Sequence, residues 1–108
     1  MGRVFETFLI NEIRTRLEYS EQEYALSYLR TKDGAEIDLI IERPGVPLVL
    51  IEIKSTTQVG PKDVAVLNNF SKEFGHVEAY CFSQDEKARK IDAVSCLPWQ
   101  QGVKELGI

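Results

Sequence analysis

Long hydrophobic stretches are missing from this sequence, and cysteine and histidine are scarce. The longest apolar runs cover about five residues, whereas a membrane-spanning helix needs roughly 20, so we expect no membrane span, and no signal peptide is visible. The two cysteines, Cys81 and Cys96, follow no metal-ligand spacing, and the single histidine, His76, has no partner pattern. We therefore expect free thiols in a reducing cytoplasm and a surface histidine.

An excess of positive charge is also missing. The chain has 13 Lys and Arg against 17 Asp and Glu, a formal net charge of −4. This balance argues against binding nucleic acid through a broad basic surface, but it permits a local basic groove or a site whose positive charge is a metal ion. With 108 residues, 44% of them hydrophobic, the chain is long enough for one core and too short for two. We expect a single domain over residues 1–108.

The hydrophobic pattern predicts an α/β domain, a mixed β-sheet flanked by helices. Apolar residues recur at three- and four-residue spacing in two segments, which is typical of amphipathic helices, and near-alternating aliphatic and aromatic residues indicate strands. The predicted helices cover residues 2–18, 63–74 (ending at Gly75) and, at the tail, 99–106. The predicted strands cover residues 23–30, 35–42, 47–54, 77–83 and, as a short edge strand closed by Pro98, 91–98.

Asp38, Glu52 and Lys54 stand among the valines, isoleucines and leucines of a predicted hairpin, EIDLIIERPGVPLVLIEIK, residues 36–54. Side chains alternate between the two faces of a strand, so the fully apolar rows of the two strands are expected to face the core. If the pairing is symmetric about Gly45, Asp38 lies opposite Glu52 and Glu36 lies opposite Lys54. A one-residue slip would turn the apolar rows to the wrong face, so the pattern favours this register.

Two facing carboxylates repel each other unless one takes a proton or a cation lies between them. Magnesium binds through one or two carboxylates and completes its shell with waters and substrate phosphate. Lys54, on the same face, is placed to orient an attacking water or to stabilise charge on a phosphoryl group. The alternative is that all three are solvated charges on an open strand face.

These residues resemble the PD-(D/E)xK nuclease superfamily, in which a helix acid, a strand aspartate and a Glu-x-Lys on the next strand accompany an αβββαβ core. More closely, three segments are similar to DUF4143, the C-terminal domain of a prokaryotic AAA+ ATPase family with a Holliday-junction-resolvase-like fold. The segments are GRVFE at 2–6, TKDGAEID at 31–38 and IEIKS at 51–55. One departure is Ile37, which occupies the position of the superfamily's name-giving proline.

The resemblance implies a restriction-endonuclease-like fold and a Mg²⁺- or Mn²⁺-dependent endonuclease acting on DNA, branched DNA included. It implies metal ligation by Asp38 and Glu52, with Glu6 and the Ile53 carbonyl completing the shell, and it makes Lys54 the catalytic lysine. It also implies an attached or partner AAA+ ATPase preceding this domain in a longer protein. Glu36, as a cross-strand partner of Lys54, and Ser55 and Gln58, just after the motif, are candidates for supporting contacts.

Two other functions stay open on sequence grounds. The acidic net charge favours a non-cleaving module that binds DNA or a partner and regulates an attached ATPase, and an exposed sheet edge would suit a homodimer. Seven further basic residues either line a DNA groove or belong to a solvated surface. They are Arg30, Lys32, Lys62, Lys72, Lys87, Arg89 and Lys90.

Overall fold

Six strands form one mixed sheet in the computed structural model, which describes residues 2–108. Strand order across the sheet is β1-β2-β3-β4-β6-β5, with β3, β4 and β6 parallel to one another and the other pairs antiparallel. In chain order the elements are α1 (Gly2–Tyr19), β1 (Ala25–Arg30), β2 (Glu36–Glu42), β3 (Leu48–Ile53), a 3₁₀ turn (Pro61–Val64), α2 (Ala65–Phe74), β4 (Val77–Ser83), β5 (Arg89–Ile91), β6 (Val94–Pro98) and α3 (Trp99–Glu105).

Helices cover both faces of the sheet, which makes a three-layer α/β domain. Leu9, Ile13 and Leu17 of α1 are fully buried on one face, where Val103 of α3 joins them against β2, β3 and β4. Leu67 of α2 is buried in a separate cluster on the opposite face. The predicted α/β class and αβββαβ order are confirmed, and the architecture is compatible with a restriction-endonuclease-like fold.

The prediction that only one row of each hairpin strand faces a core was wrong. On β3, Val49, Ile51 and Ile53 belong to the cluster under α1, while Leu50, in the other row, is fully buried under α2. The physical reason is the crossover from β3 to β4, because α2 lies in it and covers the face that the hairpin alone would leave open. Glu52 follows Leu50 in the same row, and it is only 7% exposed.

A β-bulge in β2 interrupts the alternation on which the sequence prediction relied. The β1–β2 register pairs Ser27 with Ile40 but Leu29 with Ile37, so three residue steps in β2 match two in β1. An extra residue of this kind turns the preceding side chains to the other face. Consistently, Ile37 belongs to the cluster under α2, whereas Leu39 belongs to the cluster under α1. The bulge falls at Asp38.

The C-terminal strands differ from the prediction in their position. Residues 91–98 were expected to form one edge strand, but β6 lies inside the sheet, between β4 and β5, and the short β5 forms the edge. The turn at Asp92, which has a φ of 53°, allows β5 to fold back antiparallel on β6. Cys96 in β6 is the register partner of Cys81 in β4, and both are buried free thiols, as expected.

Helix ends and helix composition agree with the sequence pattern. Gly75 ends α2 with a φ of 75°, a conformation that glycine adopts without steric cost, and its N–H donates to the Ser71 carbonyl at 2.9 Å. Within residues 2–108, none of the helices combines the length and the hydrophobicity that crossing a membrane requires.

Replacing Gly102 with alanine should destabilise the protein. Gly102 is buried in α3, and a Cβ at this position would overlap the ring of Phe82, which is itself fully buried in β4. We expect a loss of about 1–3 kcal/mol in the free energy of unfolding, which is the usual cost of overpacking and exceeds the gain in helix propensity. Urea unfolding measures it. Gly60→Ala is the matched control, because nothing lies within 4 Å of its added Cβ; equal stability of the two variants would contradict the prediction.

Candidate active site at the β2–β3 junction

Asp38 lies where β2 and β3 stop pairing. Their register runs from Ile41–Val49 to Leu39–Ile51, which is symmetric about residue 45 as predicted. Beyond these pairs, the Ile53 N–H donates to Asp38 Oδ2 at 2.7 Å instead of to a backbone carbonyl. At the bulge the Asp38 side chain thus replaces a backbone carbonyl as the hydrogen-bond acceptor between the two strands. This bond fixes the Asp38 carboxylate against the end of β3.

Glu52 is buried beside Asp38. Burial raises the pKa of Glu52 to about 9, and a hydrogen bond to Asp38, together with the Asp38 charge, acts in the same direction. Glu52 therefore holds a proton at neutral pH and donates it to the Asp38 carboxylate. The structure brings these two carboxyls together, and protonation of Glu52 relieves their repulsion.

Lys54 continues the β3 row that contains Glu52, just beyond the end of the strand. Its N–H donates to the Phe82 carbonyl at 3.0 Å, which keeps the backbone attached to β4. The ammonium lies 3.9 Å from Glu52 Oε1, and the lysine side chain is 39% exposed. Only the lysine end of this pair is exposed, and a protonated Glu52 carries no charge to hold it, so the position of Lys54 leaves its ammonium available to a bound molecule.

Glu6 approaches Asp38 from α1. Partial burial raises the pKa of Glu6, and the charge of Asp38 raises it further, while Lys54 lowers it. The charge of Asp38 thus raises the pKa of both the helix acid Glu6 and the strand acid Glu52. Across residues 2–108, however, no three Asp, Glu, His or Cys side chains come close enough together to hold a metal ion.

The remaining predicted residues divide between the site and its surroundings. Glu36 is not the partner of Lys54: its register partner is Arg30 on β1, and its Oε1 lies 3.3 Å from Arg30 Nε. The bulge removes it from the expected register, although its charge still raises the pKa of Glu52. Ser55 is half-buried and Gln58 is exposed, and the Gln58 backbone forms a turn with the Thr56 hydroxyl.

Asp85 stabilises the segment that follows Lys54, and sequence reasoning missed it. This residue is buried, and its carboxylate accepts hydrogen bonds from the N–H groups of Val59 and Lys87, both at 3.0 Å, and pairs with Arg89 at 3.0 Å. These backbone hydrogen bonds lower the pKa of Asp85. Its position in the polar run QDEKARK gave no sign of burial, since the partner Val59 is remote in sequence.

A cleft of about 750 Å³ between α1, β1 and β2 leads to Asp38. Arg3, Glu6 and Arg14 line it from the helix, and Tyr28 lines it from β1. Neither Glu52 nor Lys54 is among the described residues that line it, so the cleft reaches the carboxyl pair only at Asp38. The spacing of residues 3, 6 and 14 could have predicted that these three charged side chains share one face of the helix.

The structure is therefore an α/β domain with a carboxyl pair and a lysine at one junction of its sheet. Residues 1–101 match the family described as "Domain of unknown function (DUF4143)", and the chain belongs to this family. This confirms the closer of the two resemblances seen in the sequence. Comparison with curated proteins and comparison with solved structures gave no match.

Glu52→Gln should remove a pH dependence of stability. In the folded chain Glu52 loses its proton near pH 9, but in the unfolded chain near 4.5. The stabilisation that the protonated form provides is fully present below pH 4.5. Between pH 4.5 and about 9 the free energy of unfolding falls as the pH rises, by at most about 1.4 kcal/mol per pH unit. Glutamine cannot ionise, so the free energy of unfolding of the variant increases relative to that of the wild type as the pH rises.

Urea unfolding between pH 5 and pH 8.5, with a chelator present, measures this difference. Glu78→Gln on the exposed side of β4 is the matched control and should follow the wild type. Stability curves of the wild type and Glu52→Gln that stay parallel over this range would show that Glu52 is ionised in the folded chain.

Proposed function

We propose that this domain is a divalent-metal-dependent phosphodiesterase acting on DNA. The observation that carries the proposal is the contact between the Asp38 and Glu52 carboxyls, with Lys54 two residues further along the same strand row. A purely structural sheet gains nothing from a buried carboxyl pair, because burying acidic groups costs free energy. The same residues match the superfamily pattern seen in the sequence.

The residues present fit Mg²⁺ or Mn²⁺. The donors are carboxylate oxygens, which hard divalent cations prefer, and a cation would occupy the place of the proton that Glu52 now holds. Asp38 and Glu52 would hold the ion with the Ile53 carbonyl, while waters and a substrate phosphate suit the other positions. Glu6 is on α1, in the cleft that Asp38 also lines, so it would complete the shell through a bound water or act through Asp38.

The protein's own groups would have separate tasks in hydrolysis. The bound metal would supply an activated water and a positive charge facing the scissile phosphate. Asp38 is held in place by the Ile53 N–H, so its carboxylate needs no reorganisation on binding. Lys54, with its exposed ammonium, would orient the water and stabilise negative charge on the phosphoryl oxygens.

The second candidate function is a catalytically silent module that binds DNA or a partner and regulates an attached or partner AAA+ ATPase. Two observations favour it: the net charge of −4, and the absence of a three-residue ligand cluster from the described part of the chain. The two candidates differ in whether the carboxyl pair takes up a metal and whether DNA is then cut.

Metal binding should release a proton and should depend on Asp38. Calorimetric titration of Mn²⁺ and of Mg²⁺ at pH 7, in buffers of small and large ionisation enthalpy, should show release of about one proton, because Glu52 must ionise to bind. Asp38→Asn should weaken binding by at least about tenfold. Asparagine is preferred to alanine because it keeps an oxygen that accepts the Ile53 N–H. Glu78→Gln, remote and exposed, should bind as the wild type does.

Lys54→Met separates metal binding from cleavage. It should retain metal affinity and lose roughly a hundredfold in the rate of DNA cleavage, the usual cost of one electrostatic group in a catalytic site. Single-stranded, duplex and branched DNA are the substrates to compare. Wild-type protein that binds neither metal, with or without DNA, would refute the nuclease proposal; metal binding and DNA binding without cleavage would favour the silent module.

A further inference from the structure

The cleft between α1, β1 and β2 has arginines along its length. Arg3 and Arg14 are exposed on the helix stripe that also contains Glu6, and they are about 16 Å apart along the helix axis. Within the described residues neither forms a salt bridge, while Arg30 on β1 makes an exposed pair with Glu36. Unpaired guanidinium groups are suited to phosphate, which they bind through two parallel hydrogen bonds. The acids Glu6, Glu36 and Asp38 line the same cleft.

An exposed tyrosine completes the cleft. Tyr28 is 71% exposed on β1, and it lies between Ser27 and Leu29, the step at which the bulge of β2 displaces Asp38. Tyr28 and the candidate metal ligand Asp38 line the same cleft. A nucleobase stacks on such a ring irrespective of sequence, provided that the base is not already stacked in a duplex.

We infer that this cleft binds single-stranded DNA, with the backbone along Arg3 and Arg14 and a base on Tyr28. The inference rests on the proposed function, for which it names the substrate class and the path to Asp38. Duplex DNA fits the observations less well, since its bases are unavailable to Tyr28. The net charge of −4 also argues against the broad positive surface that duplex binding needs.

The test is fluorescence anisotropy of a labelled 12-nucleotide strand and of the same sequence as a duplex, with a chelator present so that no cleavage occurs. We expect the wild type to bind the single strand more tightly than the duplex. Arg14→Glu and Tyr28→Ala should each weaken single-strand binding by about fivefold or more. The affinity of Arg14→Glu should also depend less steeply on salt concentration, because one phosphate contact is lost.

Two matched variants test whether the effect belongs to the cleft. Lys72→Glu makes the same charge reversal on α2, and Tyr19→Ala removes another exposed tyrosine, at the end of α1. Both should bind like the wild type. Equal loss in these variants, a preference for the duplex, or unchanged binding in Arg14→Glu and Tyr28→Ala would overturn the inference.

The metal titration keeps the two proposals apart. Arg14→Glu and Tyr28→Ala leave the carboxyl pair intact, so they should bind Mn²⁺ like the wild type. If metal binding and cleavage are present but the cleft variants bind the single strand normally, the cleft inference fails and the nuclease stands. If single-strand binding depends on the cleft but no metal binds, the nuclease fails and the cleft remains a DNA-binding surface.

Discussion

The contact between two carboxyls, Asp38 and Glu52, is the constraint around which this domain is arranged. Acidic groups this close, with one of them buried, cannot both be ionised without a compensating positive charge. The surrounding structure accommodates the pair: the Ile53 N–H holds one carboxylate, a proton neutralises the other, and Lys54 lies at the margin. The sheet therefore holds a carboxyl pair whose charge is balanced by a proton and a neighbouring lysine.

The fold supplies the rigidity that such a site needs. β3 lies inside the sheet, with Val49, Ile51 and Ile53 packed beneath α1 and Leu50 beneath α2, so the strand that presents Glu52 is fixed from both sides. The chain after Lys54 is attached through Val59 to the buried Asp85. The segments on either side of the carboxyl pair thus cannot move far apart without breaking buried contacts. Sites built on strands of this kind are held more precisely than sites on free loops.

Much of this was predictable from the residues. The hairpin register followed from the hydrophobic rows around Gly45, and Gly75 marked the end of α2 because its position requires a positive φ. The bulge at Asp38 was not predictable, since strand alternation assumes one residue per step, and the error carried Ile37 and Glu36 to wrong positions. Asp85 escaped notice because its burial depends on hydrogen bonds to remote backbone, which composition does not reveal. The cleft could not be predicted from the sequence, because its shape depends on how far apart α1, β1 and β2 lie in the folded chain.

The bulge also has a consequence for how insertions and deletions can occur in this domain. Ile37 and Leu39 serve opposite hydrophobic layers although they are two residues apart, an arrangement that only the extra residue between them permits. Deleting Leu39 would return β2 to strict alternation and force Asp38 into the core layer beneath α1, whereas deleting Asp38 would preserve both layers but remove the carboxylate. Deletions in this segment therefore remove or bury the Asp38 carboxylate, whereas the Pro-Gly turn that follows β2 is exposed and belongs to neither layer.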